Sequence, residues 1–411
     1  MEVIYRKCAG LDVHKETVVA CARVTIGNRA EREVRTVGTT TVELTELCDW
    51  LTSKGITHVA MEATGVYWKP VWHMLEDSFQ LVLANAAHIR NVPGRKSDVN
   101  DATWIADLLA HGLIQPSFVP PEATQELRSL TRTRKQLGRE VVQHTQRIQR
   151  VLEDANIKLS NVASNVVGTS GRAVVKALIG GETNPEKLAG LTGNRLKASH
   201  PEIVEALRGR MRGYHRTLLK VHLDLIETLE QEIAHLEQEV TRVLGAEVKK
   251  IEKLSTMPGI STTVAQVIVA EIGTDMSRFP TPGHLISWAG LCPGMNQSAG
   301  KKMSSRLRPG NPWLRTALVQ AAWAAARKKD SYLRAQFTRL RARRGPQRAV
   351  VAVASSMLKA AYFILHDDVE YKDLGGNYFD VLGKARLKTR LVKRLEELGY
   401  KVEVSTKNEV N

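Results

Sequence analysis

The stretch Cys8-Ala-Gly-Leu-Asp-Val-His-Lys-Glu-Thr-Val-Val-Ala-Cys21 constrains the fold more than any other part of this chain. Val3, Ile4 and Tyr5 lead into it, and Thr17, Val18 and Val19 lead out of the turn. These residue types suit a pleated, half-buried surface. The expectation is a strand, a tight turn and a returning strand, with Asp12 where the first strand ends. Taken alone, Asp12 reads as a turn residue, because Asp is common in turns. A carboxylate on a rigid strand end also projects toward the edge of its sheet.

The following segments extend that sheet. Glu33–Val37 predicts a third short strand. Thr41–Leu51 predicts a helix with Leu44, Leu47, Cys48 and Leu51 on one face. His58-Val-Ala-Met-Glu62 reads as a buried strand ending on Glu62, closed by a turn at Gly65. Val66-Tyr-Trp-Lys69 opens another helix, and Gln80–Ala84 is another strand. This order implies an α/β sheet with helix crossovers. Ligands of such sheets gather beyond the strand ends, which makes Asp12 and Glu62 candidates to share one edge.

Further carboxylates come from Arg95-Lys-Ser-Asp-Val-Asn-Asp101 and the apolar run after it. Ser97 is expected to cap a helix starting at Asp98, with Asp98 and Asp101 three apart on one face. An acidic first turn also complements the helix dipole. Asp107 reads as a surface residue. Together Asp12, Glu62, Asp98 and Asp101 form an oxygen-rich set. Mg²⁺ takes such ligands at about 2.0–2.1 Å. Two ions about 3.5–4 Å apart can clamp the attacking and leaving oxygens of a phosphodiester.

Charge points the same way. The 411 residues carry 59 Lys and Arg against 43 Asp and Glu, a net charge of +16. The excess is clustered at Arg128–Arg139, Lys301–Arg315, Arg327–Arg348 and Lys384–Arg394, the pattern of a polyanion-binding chain. Apolar residues make up 43%, which excludes a wholly disordered or membrane-embedded chain. No apolar run is read as spanning a bilayer and no signal peptide is read at Met1, so a cytoplasmic protein with no membrane partner is expected. Cys8, Cys21, Cys48 and Cys292 lack metal-ligand spacing and are read as reduced thiols.

Pro116, Pro120 and Pro121 mark a boundary. From Glu122 a helix of about thirty residues is expected, with Leu127, Leu130, Leu137, Val141, Ile148 and Val151 at heptad spacing and Arg134 and His144 as polar interruptions. A second helix runs from about Tyr214 to Leu244 with a seam of Leu219, Ile226, Leu229, Ile233, Leu236, Val240 and Val243. Their coil forms within one subunit or between two. Residues 161–213 read as a small helical insert. Ile251–Gly273 reads as a helix-hairpin-helix turning at Met257-Pro-Gly-Ile, whose backbone N–H groups suit a phosphate. A basic, Gly-rich loop follows, in which Lys301, Lys302, Arg306, Arg308 and Arg315 are placed to hold a nucleic-acid backbone. Ser298, Ser304 and Ser305 read from chemistry alone as phosphate contacts. Ala317–Ala326 is a small-residue helix, Ala349–His366 an apolar core helix, Leu382–Leu398 a basic amphipathic helix and Lys401–Ser405 a short strand.

Three motifs, Gly10-Leu-Asp-Val-His-Lys, Met61-Glu-Ala-Thr-Gly and Lys96-Ser-Asp-Val-Asn-Asp-Ala, together resemble the DEDD-type transposases of bacterial insertion sequences. This family is related to a pilin-gene-inverting recombinase. The resemblance covers about residues 3–365. It implies a ribonuclease H-like (RuvC-like) α/β domain at residues 1–117 and coiled-coil helices with their insert at 118–250. It further implies a mostly helical transposase domain at 251–368; the basic tail at 369–411 lies beyond the resemblance and reads from its residues as a surface appendage or as an RNA or DNA contact. The resemblance implies a serine nucleophile before a Gly-Lys segment, matched by Ser298 with Ser304 as second choice. It implies Mg²⁺, with Mn²⁺ as a substitute, on Asp12, Glu62, Asp98 and Asp101. Its implied partners are target and donor DNA, an element-encoded bridge RNA, and further copies of the chain, as a homodimer assembling to a homotetramer with active sites composed across subunits. Two other functions remain open on the residues alone: a resolvase-like nuclease that uses water, and a non-catalytic nucleic-acid-binding protein.

Overall fold

The computed structural model describes residues 2–27, 29–63, 65–85, 89, 100–193, 196–293, 296–298, 301–304 and 306–404. The chain divides into two units, Met1–Val119 and Pro120–Asn411.

The first unit is built on a five-stranded mixed sheet of order β3-β2-β1-β4-β5. Strands β1 (Lys7–Val13), β2 (Thr17–Ile26) and β3 (Arg29–Gly38) form an antiparallel meander, and β4 (His58–Glu62) and β5 (Gln80–Ala84) run parallel to β1. β3 is twice the expected length and pairs with β2 from Thr17↔Gly38 to Ile26↔Arg29. Its Arg-Ala-Glu-Arg-Glu start hides it from an alternation search, yet charged side chains suit an edge strand because they oppose pairing with another chain.

Helices α1 (Thr41–Ser53) and α2 (Trp68–Leu75) cover one face, where Leu44, Leu47, Leu51, Val71 and Leu75 pack on Ala9, Leu11, Val13, Val18 and Ala20. Thr40 and Glu43 form a capping box that starts α1. Helix α3 (Asp101–Ala110) covers the other face, setting Ile105, Leu108 and Leu109 against Cys8 and Ala60. The helix does not begin at Asp98 as the sequence suggested. Asn100 has the extended ψ of 139° and caps α3 itself, its side chain accepting from Ala102 N–H at 2.8 Å. Asn is as good a cap as Ser, and it stands one residue before the apolar run. Asp98 and Ser97 lie outside the described residues.

The second unit starts with an antiparallel pair of long helices, α4 (Glu122–Asp154) and α9 (Gly213–Leu244). At one end Asp154 accepts from the Tyr214 hydroxyl at 2.7 Å and lies 2.8 Å from His215 Nε2; at the other, Arg242 reaches Glu126 at 3.3 Å. The coil therefore closes within one chain. In its seam His144 and His222 meet Nδ1 to Nδ1 at 3.2 Å. Burial, then His144 and then Arg147 hold His222 below the usual histidine range. Four short helices, α5 (Leu159–Val162), α6 (Thr169–Ile179), α7 (Pro185–Gly190) and α8 (His200–Ala206), connect the pair. They share a core with Ile148 and Leu152 of α4 and with Leu219, Leu223 and Ile226 of α9.

A separate core joins α10 (Val248–Ser255), α11 (Thr262–Ile272), α12 (Pro282–Trp288), α13 (Pro312–Ala325), α14 (Tyr332–Arg344) and α15 (Pro346–His366) to Leu127, Val240 and Leu244. Contrary to the sequence expectation, α15 is long and apolar enough to cross a bilayer, but Val353, Ala354, Met357, Leu358, Ala361 and Ile364 bury its inner face in this core. The expected α10–α11 hairpin is present. Gly259 at its turn has φ +85°, and a Cβ there would meet Ala321 O at 2.3 Å and Ala325 N at 2.8 Å. The glycine is thus needed for close approach to α13, whose alanines accept it. The tail holds α16 (Tyr378–Leu382) and α17 (Lys384–Glu397). Lys401–Val404 form no strand, with Ser405 outside the described residues.

Candidate functional site

Asp12 and Glu62 stand side by side. The parallel register pairs Leu11 with Met61, so Asp12 and Glu62 are the next residues at the same end of neighbouring strands, which lie about 4.8 Å apart. Residues opposite one another share a face of the sheet. That face is the one α3 covers, because Gly10, two residues before Asp12, faces Ala102 and Ala106. Helix α3 runs antiparallel to β1. Its last carbonyl, Ala110 O, accepts from Ile4 N–H at 2.8 Å, Ala106 O accepts from Cys8 Sγ at 3.6 Å, and Ala102 lies on Gly10. Asp101, in the first turn of α3, therefore lies at the edge that carries Asp12 and Glu62.

Asp12 is partly exposed and has His14 Nε2 3.2 Å from its Oδ2. Among the described residues no group of three or more His, Cys, Asp and Glu side chains closes around one point. The donor chemistry still suits a hard cation. Mg²⁺ keeps several waters and is commonly held by one or two carboxylates together with substrate phosphate. Of the four expected ligands, the structure brings Asp12, Glu62 and Asp101 to one edge, and the fourth is outside the described residues.

Asp107, expected on the surface, instead fixes α3 to the meander. It accepts from Arg23 Nε at 2.9 Å and from Arg32 Nη2 at 2.9 and 3.1 Å. The Arg23 side chain is only 5% exposed. An acid in an otherwise apolar helix, with arginines on the facing strands, was the available signal. Gly10 was a second, since a glycine inside a strand often marks close backbone approach.

In the second unit the basic loop forms a two-stranded hairpin. β6 (Asn296–Ser298) pairs with β7 (Lys301–Ser304), with Ser298 opposite Lys301, Gln297 opposite Lys302 and Asn296 opposite Ser304. Ser298 and Lys301 thus form the pair at one end of this ladder, and Ser304 lies at the other end. Pro293 bridges Leu307. Below, Gly290 and Gly310 press together: a Cβ on Gly310 would meet Gly290 N at 2.4 Å. Arg306 and Arg308 are exposed, and Arg315 is half-buried in the first turn of α13.

The base of this hairpin is tied to a buried carboxylate that sequence reading passed over. Glu271, fully buried at the end of α11, accepts from Arg132 Nε and Nη2, both at 2.8 Å, and from Asn311 Nδ2 at 2.6 Å. Asn311 Oδ1 in turn accepts from Trp313 and Leu314 N–H, capping α13. Arg128 bonds the carbonyls of Ala270, at 3.0 Å, and Glu271. Arg134 bonds Gln266 at 2.6 Å, and Arg132 and Arg139 both lie over the Trp313 ring. The Arg128–Arg139 cluster, read from sequence as a nucleic-acid contact, is therefore largely spent on internal structure.

Two family models match the chain: one described as a DEDD-type IS110 transposase over residues 9–157, and one described as the transposase IS116/IS110/IS902 family over residues 251–338. An insertion element IS110 uncharacterized 43.6 kDa protein from Streptomyces coelicolor is 26% identical over 310 residues, 68% of this chain and 73% of that protein.

Proposed function

Because the chain belongs to the IS110 family of insertion-element transposases, we propose that it is a Mg²⁺-dependent recombinase that cuts and rejoins DNA through Ser298, guided by an element-encoded bridge RNA. The observation that carries the proposal is the pairing of Asp12 with Glu62 at the ends of adjacent parallel strands, with Asp101 at the same edge. A mixed sheet with such an edge is also what supports the RuvC-like reading.

In this proposal Asp12, Glu62 and Asp101, with Asp98, hold the cation, and His14 orients Asp12. When bound, the cation supplies positive charge at the scissile phosphate and lowers the cost of charge building on its oxygens. A serine hydroxyl is a weak nucleophile until activated. Ser298 Oγ forms a new bond to phosphorus as the bond from phosphorus to one sugar oxygen breaks. The serine proton leaves to a base or to solvent, and the departing oxygen takes up a proton. Religation reverses these steps on the partner strand. Lys301, opposite Ser298, and Lys302, Arg306, Arg308 and Arg315 neutralise the backbone. A homotetramer holding two DNAs completes the proposal.

The test is a trapping assay with the protein, the flanking RNA of its element, labelled target and donor DNA and Mg²⁺ on a denaturing gel. The expected result is a DNA-linked protein band mapping by peptide mass to Ser298. Glu62→Gln and Ser298→Ala each abolish recombination while RNA binding persists. Cleaved DNA with no linked protein at any point in the time course would instead indicate a hydrolytic nuclease, and normal recombination by Ser298→Ala would remove the serine from its role.

A further inference from the structure

A charged groove lies between α14 and the tail helices α16 and α17. It encloses about 1670 Å³ and is lined by Lys329, Arg334, Arg339, Arg343 and Arg390, with Asp330 and Asp380 as its acids. We propose that this groove is a second nucleic-acid site, separate from the Ser298 hairpin, that grips the phosphodiester backbone of a strand.

Pairing behaviour carries the argument. Several arginines elsewhere in this unit are matched to carboxylates, among them Arg132 to Glu271, Arg172 to Glu230, and Arg242 to Glu126 and Glu239. Among the described residues none of the five groove cations has a carboxylate within the 4.0 Å of an ion pair. All five are exposed, so they raise the local potential without neutralising one another. Helix α14 has Arg334, Arg339, Arg341, Arg343 and Arg344 on 13 residues. Its only buried side chains are Leu333 and Phe337, so most of its surface is free for an anion. The aromatic in the groove does not favour base stacking. Phe379 is already stacked on Tyr332 at 5.2 Å and 24° and covered by Arg339 at 5.4 Å. Arginines without a free aromatic face select the backbone and not the bases. The tail wall, residues 376–390, lies beyond both family-matched regions.

This inference rests on the nucleic-acid reading of the chain, and the experiment separates the two. Fluorescence anisotropy is measured on the full chain with short labelled single-stranded RNA, single-stranded DNA and the two duplexes, across a salt series. Arg343→Ala with Arg390→Ala removes two phosphate contacts. Each contact contributes about 0.7 to the salt slope on a single strand and about 0.9 on a duplex. The double variant therefore binds roughly 25-fold weaker on a single strand, or roughly 60-fold weaker on a duplex, at about 0.1 M salt. Which probe loses most identifies the strand type. Asp380→Asn removes a repelling acid and tightens binding, a gain that misfolding does not produce. A wild-type chain that binds none of the probes removes the nucleic-acid reading and the groove with it. Wild-type binding with unchanged salt slopes in the double variant removes the groove alone. Competition by polyglutamate as strong as that of the nucleic acids marks an acidic-polypeptide site and overturns the proposal.

Discussion

Replacing Gly10 with alanine tests whether the edge geometry depends on the close seat of α3. An added Cβ would stand 2.2 Å from Ala102 O and 2.4 Å from Ala106 N, whereas ordinary contact begins at 3.4 Å. Both atoms belong to the helix backbone, so no side chain can rotate away. Helix α3 must withdraw by about 1.2 Å, and Asp101 goes with it while Asp12 and Glu62 stay on their strands. Overpacking of this kind costs about 2 kcal/mol, or roughly 8 °C in the melting of a unit this size. A shift of about 1 Å in a catalytic group can cost about a hundredfold in rate. The assay is strand cleavage of labelled donor DNA over a Mg²⁺ titration, with calorimetric melting of the same protein. Gly138→Ala serves as control, because a Cβ at that position meets nothing within 4 Å. A Gly10→Ala protein that cleaves and melts like wild type would falsify the claim that Gly10 sets the position of α3.

Four other outcomes are expected, at three residues. Glu271→Ala leaves Arg132 and Asn311 without their buried acceptor and destabilises the second unit by about 3 kcal/mol in urea unfolding; a loss below about 1 kcal/mol would reduce the cluster to a surface pair. Asp107→Asn strips the buried Arg23 of its carboxylate and costs about 2 kcal/mol, read as loss of hydrogen-exchange protection in α3; unchanged protection there would refute it. Burial pushes the Cys8 thiol from its ordinary 9.0 up to about 12. The folded state thus favours the neutral thiol. Its contribution to stability is full below pH 9 and is lost as pH rises toward 12, a decline that Cys8→Ala should flatten. Native Cys8 should also resist alkylation near neutral pH; rapid labelling without unfolding would contradict this burial.

The parallel strands that carry Asp12 and Glu62 near their ends were legible because buried strands advertise themselves as short apolar runs between turn residues. β3 was half-legible, since an edge strand of alternating charges carries no apolar signal. The start of α3 was misplaced because both Ser97 and Asn100 are competent caps, and only the backbone at Asn100 decides between them. Arg128, Arg132 and Arg134 show the limit of charge counting. The same residue type reads as a polyanion contact in sequence and as a buried structural partner once Glu271 and Gln266 are known to face it. Those partners lie more than 130 positions away, beyond the reach of any periodicity.

The two ends of α4 belong to different cores, and this sets an order in time. The core around Ile148 and Leu152 needs nothing beyond Ile226, whereas the core that holds Leu127 needs Ile364 and Leu365. Synthesis proceeds at about 5–20 residues per second, so roughly 7–28 s separate the two closures on the ribosome. During that interval the nascent chain carries its carboxylate edge and a closed helical tip, but the platform beneath the Ser298 hairpin does not yet exist.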